Sequence, residues 1–257
     1  MTHSAAKVYF IGAGPGAVDL ITVRGAEILR SARRIVYAGS LVNTEIITTY
    51  TREGCEVFDS SGMTLDEITG LLSGGHEAGI LTVRLHSGDP AIFGAVREQM
   101  NILRERGIPF ETVPGVSSLF AASSALKTEY MIPGGTQTLI ITRAEGRTPV
   151  PKTEGLSSLA SHGASMAVFL SAGMCETVCS ELRAGGYDGE TPAAVVYRAS
   201  WPDERVIRGT LSTLPELTRG ITKSAIILAG DFLNDNSGSQ SKLYDKNFSH
   251  EYRCGIH

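Results

Sequence analysis

The chain has 257 residues and a formal net charge of −4, with 42% hydrophobic and 19% charged residues. That composition supports one large core or two smaller ones and excludes a disordered chain. The negative balance, with no dense Lys/Arg block, disfavours generic nucleic-acid binding. The opening MTHSAAK lacks a charged-then-apolar leader pattern, and no apolar run approaches ~18 residues, so a cytoplasmic protein with no membrane partner is expected. Cys55, Cys175, Cys179 and Cys254 are scattered and suggest neither a disulfide framework nor a C-x-x-C site. Cys175 and Cys179 stand one helical turn apart, a spacing open to a ligand pair but commoner for small thiols in a core. No protein metal site is expected.

In chain order, KVYFIG (7–12) reads as a buried strand and LITVRGAEILRSA (20–32) as a helix with Leu20, Val23 and Ile28 near one face. RRIVYA is a second strand. Thr64-x-x-Glu67 predicts a capping box that opens the helix LDEITGLLSGG. GILTVRLH (79–86) is a third strand, apolar almost throughout, as when both faces of a sheet are covered. A helix is expected over AIFGAVREQMNILRER, followed by a short strand PFETV. This βαβ series predicts an α/β domain with a mostly parallel sheet. The turn chemistry at Pro133, Gly134 and Gly135 interrupts the alternation. Beyond it lie the strands TLIIT, SMAVFLS, AAVVYRA, ERVIRG and SAIILAG, two of them joined by a short connection, so the second sheet should be mixed. The expected organisation is an extension (1–6), an N-terminal α/β domain (7–130), a C-terminal α/β domain (131–233) and a flexible tail (234–257).

Gly12-x-Gly14-x-x-Ala17 invites a dinucleotide-binding reading. That reading needs an acid at the end of the second strand, and VYAGSLVN has none before Glu45. Pro15 also removes an N–H from a loop whose use would be to present such groups. The better ligand site is HSGDPAIFG (86–94), at the carboxyl end of the third strand, where open α/β sheets bind ligands. Gly88 permits close backbone approach, and Asp89-Pro90 reads as a helix cap with Pro at the first helical position. VPGVSSLFAA (113–122) repeats the scheme, with Gly115 turning and Ser117 or Ser118 opening a helix. Good turns and caps with no ligand remain the alternative. The pocket so formed offers amides and hydroxyls and no nucleophile–base pair.

Taken together, GAGPG, SGDPAIFG, VPGVSS, AVFLSAGM, VVYRASWPDERVIRGTL and SAIILAG resemble the tetrapyrrole methylase family, in family order from residue 7 to about 232. TQTLIITRAEGRTPVP (136–151) and ASWPDE (199–204) resemble the branch that methylates precorrin-4 at carbon 11 in cobalamin biosynthesis, with a pattern nearer its cobalt-first form. Another tetrapyrrole, an RNA ribose or a non-enzymatic nucleotide module stay as alternatives. Where many members carry Asp, this chain has Ala17, while Asp19 is retained.

The resemblance implies two α/β domains with S-adenosylmethionine (SAM) bound between them, a tetrapyrrole substrate and a homodimer. By resemblance, SAM contacts Ser87, Gly88, Asp89, Ile92, Ser117 and Ser118, with Leu170, Ser171, Ala199 and Ala225 on its other side and Pro15 near the methyl group. Gly14 and Gly16 then line the substrate trough. The acidic macrocycle requires local cations, for which Arg forks are suited. Arg143 and Arg147 rank first among candidates that include Arg24, Arg84, Arg97 and Arg198. Asp19 is either a catalytic-site acid or a helix N-terminal acid. His86 either exchanges a proton with the macrocycle or is a buried structural histidine.

Overall fold

The computed structural model describes residues 7–234 and 241–255. The expected extension (1–6) and parts of the expected tail (235–240 and 256–257) lie outside the described residues. The chain divides into two compact units: one reaches Ala121 and includes Arg198–Asp203, and the other comprises Ala122–Tyr197 and the residues from Glu204 onward.

In chain order the first unit presents β1 (Val8–Gly12), α1 (Val23–Ser31), β2 (Arg34–Tyr37), α2 (Thr44–Tyr50), β3 (Glu56–Asp59), α3 (Leu65–Glu77), β4 (Thr82–His86), α4 (Arg97–Glu105), β5 (Phe110–Val113) and the start of α5 (Ser118–Leu126). The division between units falls within α5. It therefore precedes the turn from which the sequence places the boundary. That turn, with Gly134 at φ 79° and Gly135 N–H donating to Ile132 O at 3.0 Å, belongs inside the second unit.

The first sheet has the order β3-β2-β4-β1-β5, and every pairing is parallel. All five residues of β1 are buried, as are those of β4, because both sheet faces are covered. Val8, Phe10 and Val36 pack with Ile68 and Leu72 of α3 and Leu103 of α4. Tyr9, Ile11, Ile35, Val83 and Leu85 pack on the other face with Ile28 and Leu29 of α1 and Ile46 of α2. The expected capping box is present: Thr64 Oγ1 accepts from Glu67 N–H at 3.3 Å, and Thr64 N–H donates to Glu67 Oε2 at 2.7 Å.

Two differences from the sequence reading bear on the site. The segment between Tyr37 and Thr64 holds α2 and β3, so GILTVRLH contributes the fourth strand. And the helix after it starts at Arg97 and not at Pro90. Phe93 (φ 54°) and Ala95 (φ 49°) are left-handed, which no L-residue helix accommodates, so residues 90–96 form a loop.

The second unit presents β6 (Leu139–Arg143), α6 (Leu156–Ala160), β7 (Ser165–Phe169), α7 (Cys175–Ala184), β8 (Pro192–Tyr197), β9 (Arg205–Thr210), α8 (Leu214–Leu217) and β10 (Ala225–Ala229). Its sheet runs β6-β7-β10-β8-β9, parallel only between β6 and β7 and therefore mixed, as expected. Met166, Val168, Val195 and Ile227 pack against Val178 and Leu182 of α7. Cys175 and Cys179 belong to this same core. Within 241–255, Arg253 Nη2 donates to the carbonyls of Leu243 and Asp245 at 2.6 and 2.7 Å, which folds that segment around its own guanidinium.

Candidate active site

Three glycine loops converge at the carboxyl edge of the first sheet. Gly12 ends β1, Gly88 follows β4 and Gly115 follows β5. A Cβ on Gly12 would lie 2.5 Å from Gly88 O and 2.6 Å from Gly115 Cα, so no side chain is tolerated there. Gly14 and Gly88 pair as an isolated bridge: Gly88 N–H donates to Gly14 O at 2.7 Å and Gly14 N–H to Gly88 O at 3.3 Å. Both glycines are left-handed, at φ 83° and 60°. The loops GAGPG, SGDP and VPG thus pack backbone against backbone, and the opening loop is bonded to the SGDP loop.

Asp89 has a different part from the helix cap expected of it. Its Oδ1 accepts from Ala91 N–H at 2.8 Å and its Oδ2 from Gly115 N–H at 2.9 Å. The carboxylate therefore ties the loop after β4 to the loop after β5. Ser117 is buried, and its Oγ accepts from Leu119 N–H at 3.3 Å at the head of α5, while Ser118 is half-buried as the first residue of that helix. Ser87 and Ile92 are half-buried on the β4 loop.

β4 carries a polar pair on one face. Arg84 is 4% exposed, and its Nε donates to Gln99 Oε1 and its Nη1 to Val36 O, each at 3.1 Å. Arg84 aligns with Phe10 and Val36 across the sheet and so lies on the face covered by α3 and α4. Burial lowers its pKa to about 10. These bonds place Arg84 in the core and remove it from the arginines that could meet a substrate carboxylate. His86, two residues on and on the same face, is 7% exposed. Burial, with the Arg84 charge adding to it, lowers its pKa to about 3. Its Nε2 has no hydrogen-bond partner among the described residues. The imidazole is thus neutral near pH 7, able to hold a hydrogen bond, and poorly suited to accept and keep a proton.

The opening loop is held from two further directions. Asn43, which caps α2 by accepting from Glu45 N–H at 3.0 Å, donates its Nδ2 proton to Gly16 O at 2.9 Å. From the β8–β9 connection, Trp201 Nε1 donates to Pro15 O at 2.9 Å, and Ser200 Oγ accepts from Ala17 N–H at 3.0 Å. Pro15 is buried and Asp19 is exposed, in a single 3-10 turn, Val18–Leu20. Nothing in the structure explains the alanine itself at position 17.

In the second unit the register brings Arg143, Leu170, Ser171 and Ala225 to one sheet edge. Arg143 aligns with Phe169 at the ends of β6 and β7, and Ala225 aligns with Tyr197 at the end of β8. Ser171 is buried, and its Oγ accepts from Ala144 N–H at 2.9 Å and donates to Phe169 O at 2.7 Å, which locks the two strand ends. Arg143 donates to the carbonyls of Thr148 and Pro149 at 3.0 and 2.7 Å. Its fork therefore shapes the loop that exposes Arg147. Ala199 is buried, in the connection that belongs to the first unit. Of the other candidates, Arg24 pairs with Glu111, Arg97 is exposed at the first turn of α4, and Arg198 pairs with Asp203 at 2.7 Å.

Backbone strain supplies a signal that no sequence pattern carried. Among the described residues, seven non-glycines are left-handed: Phe93, Ala95, Lys127, Leu170, Arg198, Ser200 and Ser224. All but Lys127 lie on the β4 loop, on the β8–β9 connection or at the second sheet's edge. Each costs roughly 1–3 kcal/mol, a burden that clusters at functional sites. Leu170 is the plainest case, a leucine 66% exposed at φ 54°.

The sequence profile of the Tetrapyrrole (Corrin/Porphyrin) Methylases matches residues 7–215. The chain belongs to this family and is a methyltransferase. A cobalt-precorrin-4 C(11)-methyltransferase of Methanocaldococcus jannaschii is 49% identical over 96% of each chain. A precorrin-4 C(11)-methyltransferase of Pseudomonas aeruginosa is 41% identical over 96% of this chain and 99% of its own. Among solved structures, a cobalt precorrin-4 methyltransferase superposes with a TM-score of 0.86 at 46% identity, covering 89% of this chain and 96% of its own. A uroporphyrin-III C-methyltransferase from Thermus thermophilus, complexed with S-adenosylhomocysteine, gives a TM-score of 0.76 at 26% identity, covering 88% of this chain and 98% of its own.

Proposed function

We propose that this chain transfers a methyl group from SAM to carbon 11 of cobalt-precorrin-4, yielding cobalt-precorrin-5. The observation that carries this reading is the 49% identity, over 96% of both chains, to a protein named for that reaction. Relatives named for the metal-free substrate stand at 40–43%, below the 46% and 49% of two named for the cobalt form, which favours the cobalt form. Any cobalt arrives within the substrate.

The residues present suit the cofactor. The glycines bring the three loops into backbone-to-backbone contact beside the half-buried Ser87, Gly88 and Ser118, and the buried His86 Nε2 has no hydrogen-bond partner among the described residues, which leaves it one to offer a bound group. Bound SAM would supply an electrophilic methyl: a carbon–carbon bond would form as the carbon–sulfur bond breaks with its electron pair on the leaving thioether, and the charge gained by the macrocycle would be relieved by loss of a proton. The chain's contribution is alignment and exclusion of water. In this reading Ser87, Gly88, Ile92, Ser118 and the Ser117 backbone of the first unit hold the cofactor. Leu170, the Ser171 backbone, Ala199 and Ala225 complete its contacts. Asp89 acts through the loops it joins. Pro15 lies near the transferred methyl, Gly14, Gly16 and Asp19 belong to the acceptor's side, and Arg147 meets a carboxylate of the macrocycle. His86 orients a bound group as a neutral hydrogen-bonding partner. A cytoplasmic homodimer completes the proposal. No helix among the described residues is long and apolar enough to cross a membrane.

Anaerobic incubation of the protein with SAM and either cobalt-precorrin-4 or the metal-free form, read by mass spectrometry, tests the reading. Gain of a single methyl on the cobalt form, placed at carbon 11 by NMR, is expected. Methylation of uroporphyrinogen-III with neither precorrin modified would refute it.

A further inference from the structure

Within the β8–β9 connection the family reading assigns roles to Ala199 and, as a candidate cation, to Arg198, and none to Ser200 or Trp201. The connection's flanking strands lie in the second unit, yet Arg198–Asp203 groups with the first. What it grips there is the opening loop. Trp201 Nε1 and Ser200 Oγ engage the Pro15 carbonyl and the Ala17 N–H, and Asn43, 27 residues along the chain, engages the Gly16 carbonyl. Three consecutive residues are thereby held by side chains from distant parts of the chain. The indole is itself clamped: the Arg198 guanidinium lies 4.0 Å from its ring centre and pairs with Asp203, while Trp201 N–H closes a turn onto Arg198 O at 2.9 Å. Arg198 and Ser200 hold left-handed backbone at φ 48° and 68°, strain that a loose surface connection would relax.

The decisive contact is at Gly16. This glycine has no left-handed φ, so its conformation would accept alanine. The three atoms nearest its missing Cβ all belong to Trp201; Cδ1 and Nε1 would overlap it and Cγ would lie 2.7 Å away. Cγ sits at the root of the indole, so relief requires the whole ring to move and the Pro15 bond to break.

We propose that Trp201, set by Arg198 and Ser200, is a positioning residue that fixes the shape of the Gly12–Ala17 loop, and that position 16 is glycine to admit the indole. The inference rests on the reading of that loop as facing the methyl acceptor. The experiment is a double-mutant cycle of Gly16→Ala and Trp201→Ala in the full chain, with Trp201→Phe and Ser200→Ala as milder variants. Each single change is expected to lower kcat about tenfold or more, as misplacement of an orienting loop does. Affinity for S-adenosylhomocysteine should change less than about threefold. The double variant should be no worse than the poorer single one, because both perturb one contact. Trp201→Phe, which keeps a ring and loses the N–H, should fall between. Multiplicative losses in the cycle, or wild-type kcat in Trp201→Ala, would overturn the proposal. So would loss of cofactor affinity equal to the loss of kcat. The same cycle read in thermal midpoints needs no substrate: if the wild type methylates no precorrin, coupling of the two midpoints still decides the contact, while the function reading fails separately.

Discussion

The buried imidazole on β4 makes a quantitative prediction about acid stability. His86 has a folded-state pKa of about 3 against an ordinary value of 6.5, lowered by burial and by Arg84. A folded pKa below the unfolded one means that, under pH 6.5, the unfolded chain takes up a proton the native chain refuses. The stability attached to neutral His86 is therefore complete above pH 6.5 and is lost as pH falls from there toward 3. The loss approaches about 1.4 kcal/mol per pH unit inside that window, so between pH 8 and pH 5 it amounts to about 2 kcal/mol. Because pH 5 is well above 3, the figure holds so long as the folded pKa stays below about 4. At 7% exposure the group gains little from solvent screening.

The perturbation is His86→Leu, which fills similar space without a titrating group. Thermal midpoints of both proteins at pH 5, 6, 7 and 8 would be compared, so that all other acid-linked groups cancel in the difference. Relative to His86→Leu, the wild type should lose about 4–8 °C on going from pH 8 to pH 5. Parallel profiles would refute the reasoning, because they would mean that the native imidazole protonates as freely as in the unfolded chain. Such a result would also reopen a proton-transfer role, which a neutral, desolvated ring disfavours.

Leu170→Gly should raise the thermal midpoint, since glycine relieves a left-handed leucine by about 1 kcal/mol, while lowering methyl transfer; a fall in both would show the leucine to be a packing residue. Asp89→Asn leaves one acceptor oxygen where two N–H groups, of Ala91 and Gly115, now bind. It should cost about 1–2 kcal/mol in stability and weaken S-adenosylhomocysteine binding in calorimetry, and unchanged affinity would separate the loop tie from the cofactor site.

What could be read without coordinates follows from the range of the interactions involved. Strand patterns such as VYFIG and AIILA are local, and nine of the ten strands in the two sheets followed from them. The Thr64/Glu67 box is local too, and it formed as expected. α2 and β3 escaped because their burial is partial: Val57 is 42% exposed and β3 lies at the sheet's edge, so hydrophobic periodicity has little to register. The helix over 90–96 was misread because Ile92 and Val96 keep helical spacing, whereas the left-handed turns at Phe93 and Ala95 leave no trace in residue type. The glycines lie between these extremes. Gly12, Gly88 and Gly115 each announce a close approach, and the loops they mark do meet. A glycine does not say what approaches it, however. At Gly16 the answer is an indole bonded to the neighbouring Pro15 carbonyl from 186 positions along the chain. For that reason the ASWPDE segment could be recognised as part of a family pattern, while its hold on the opening loop had to be seen.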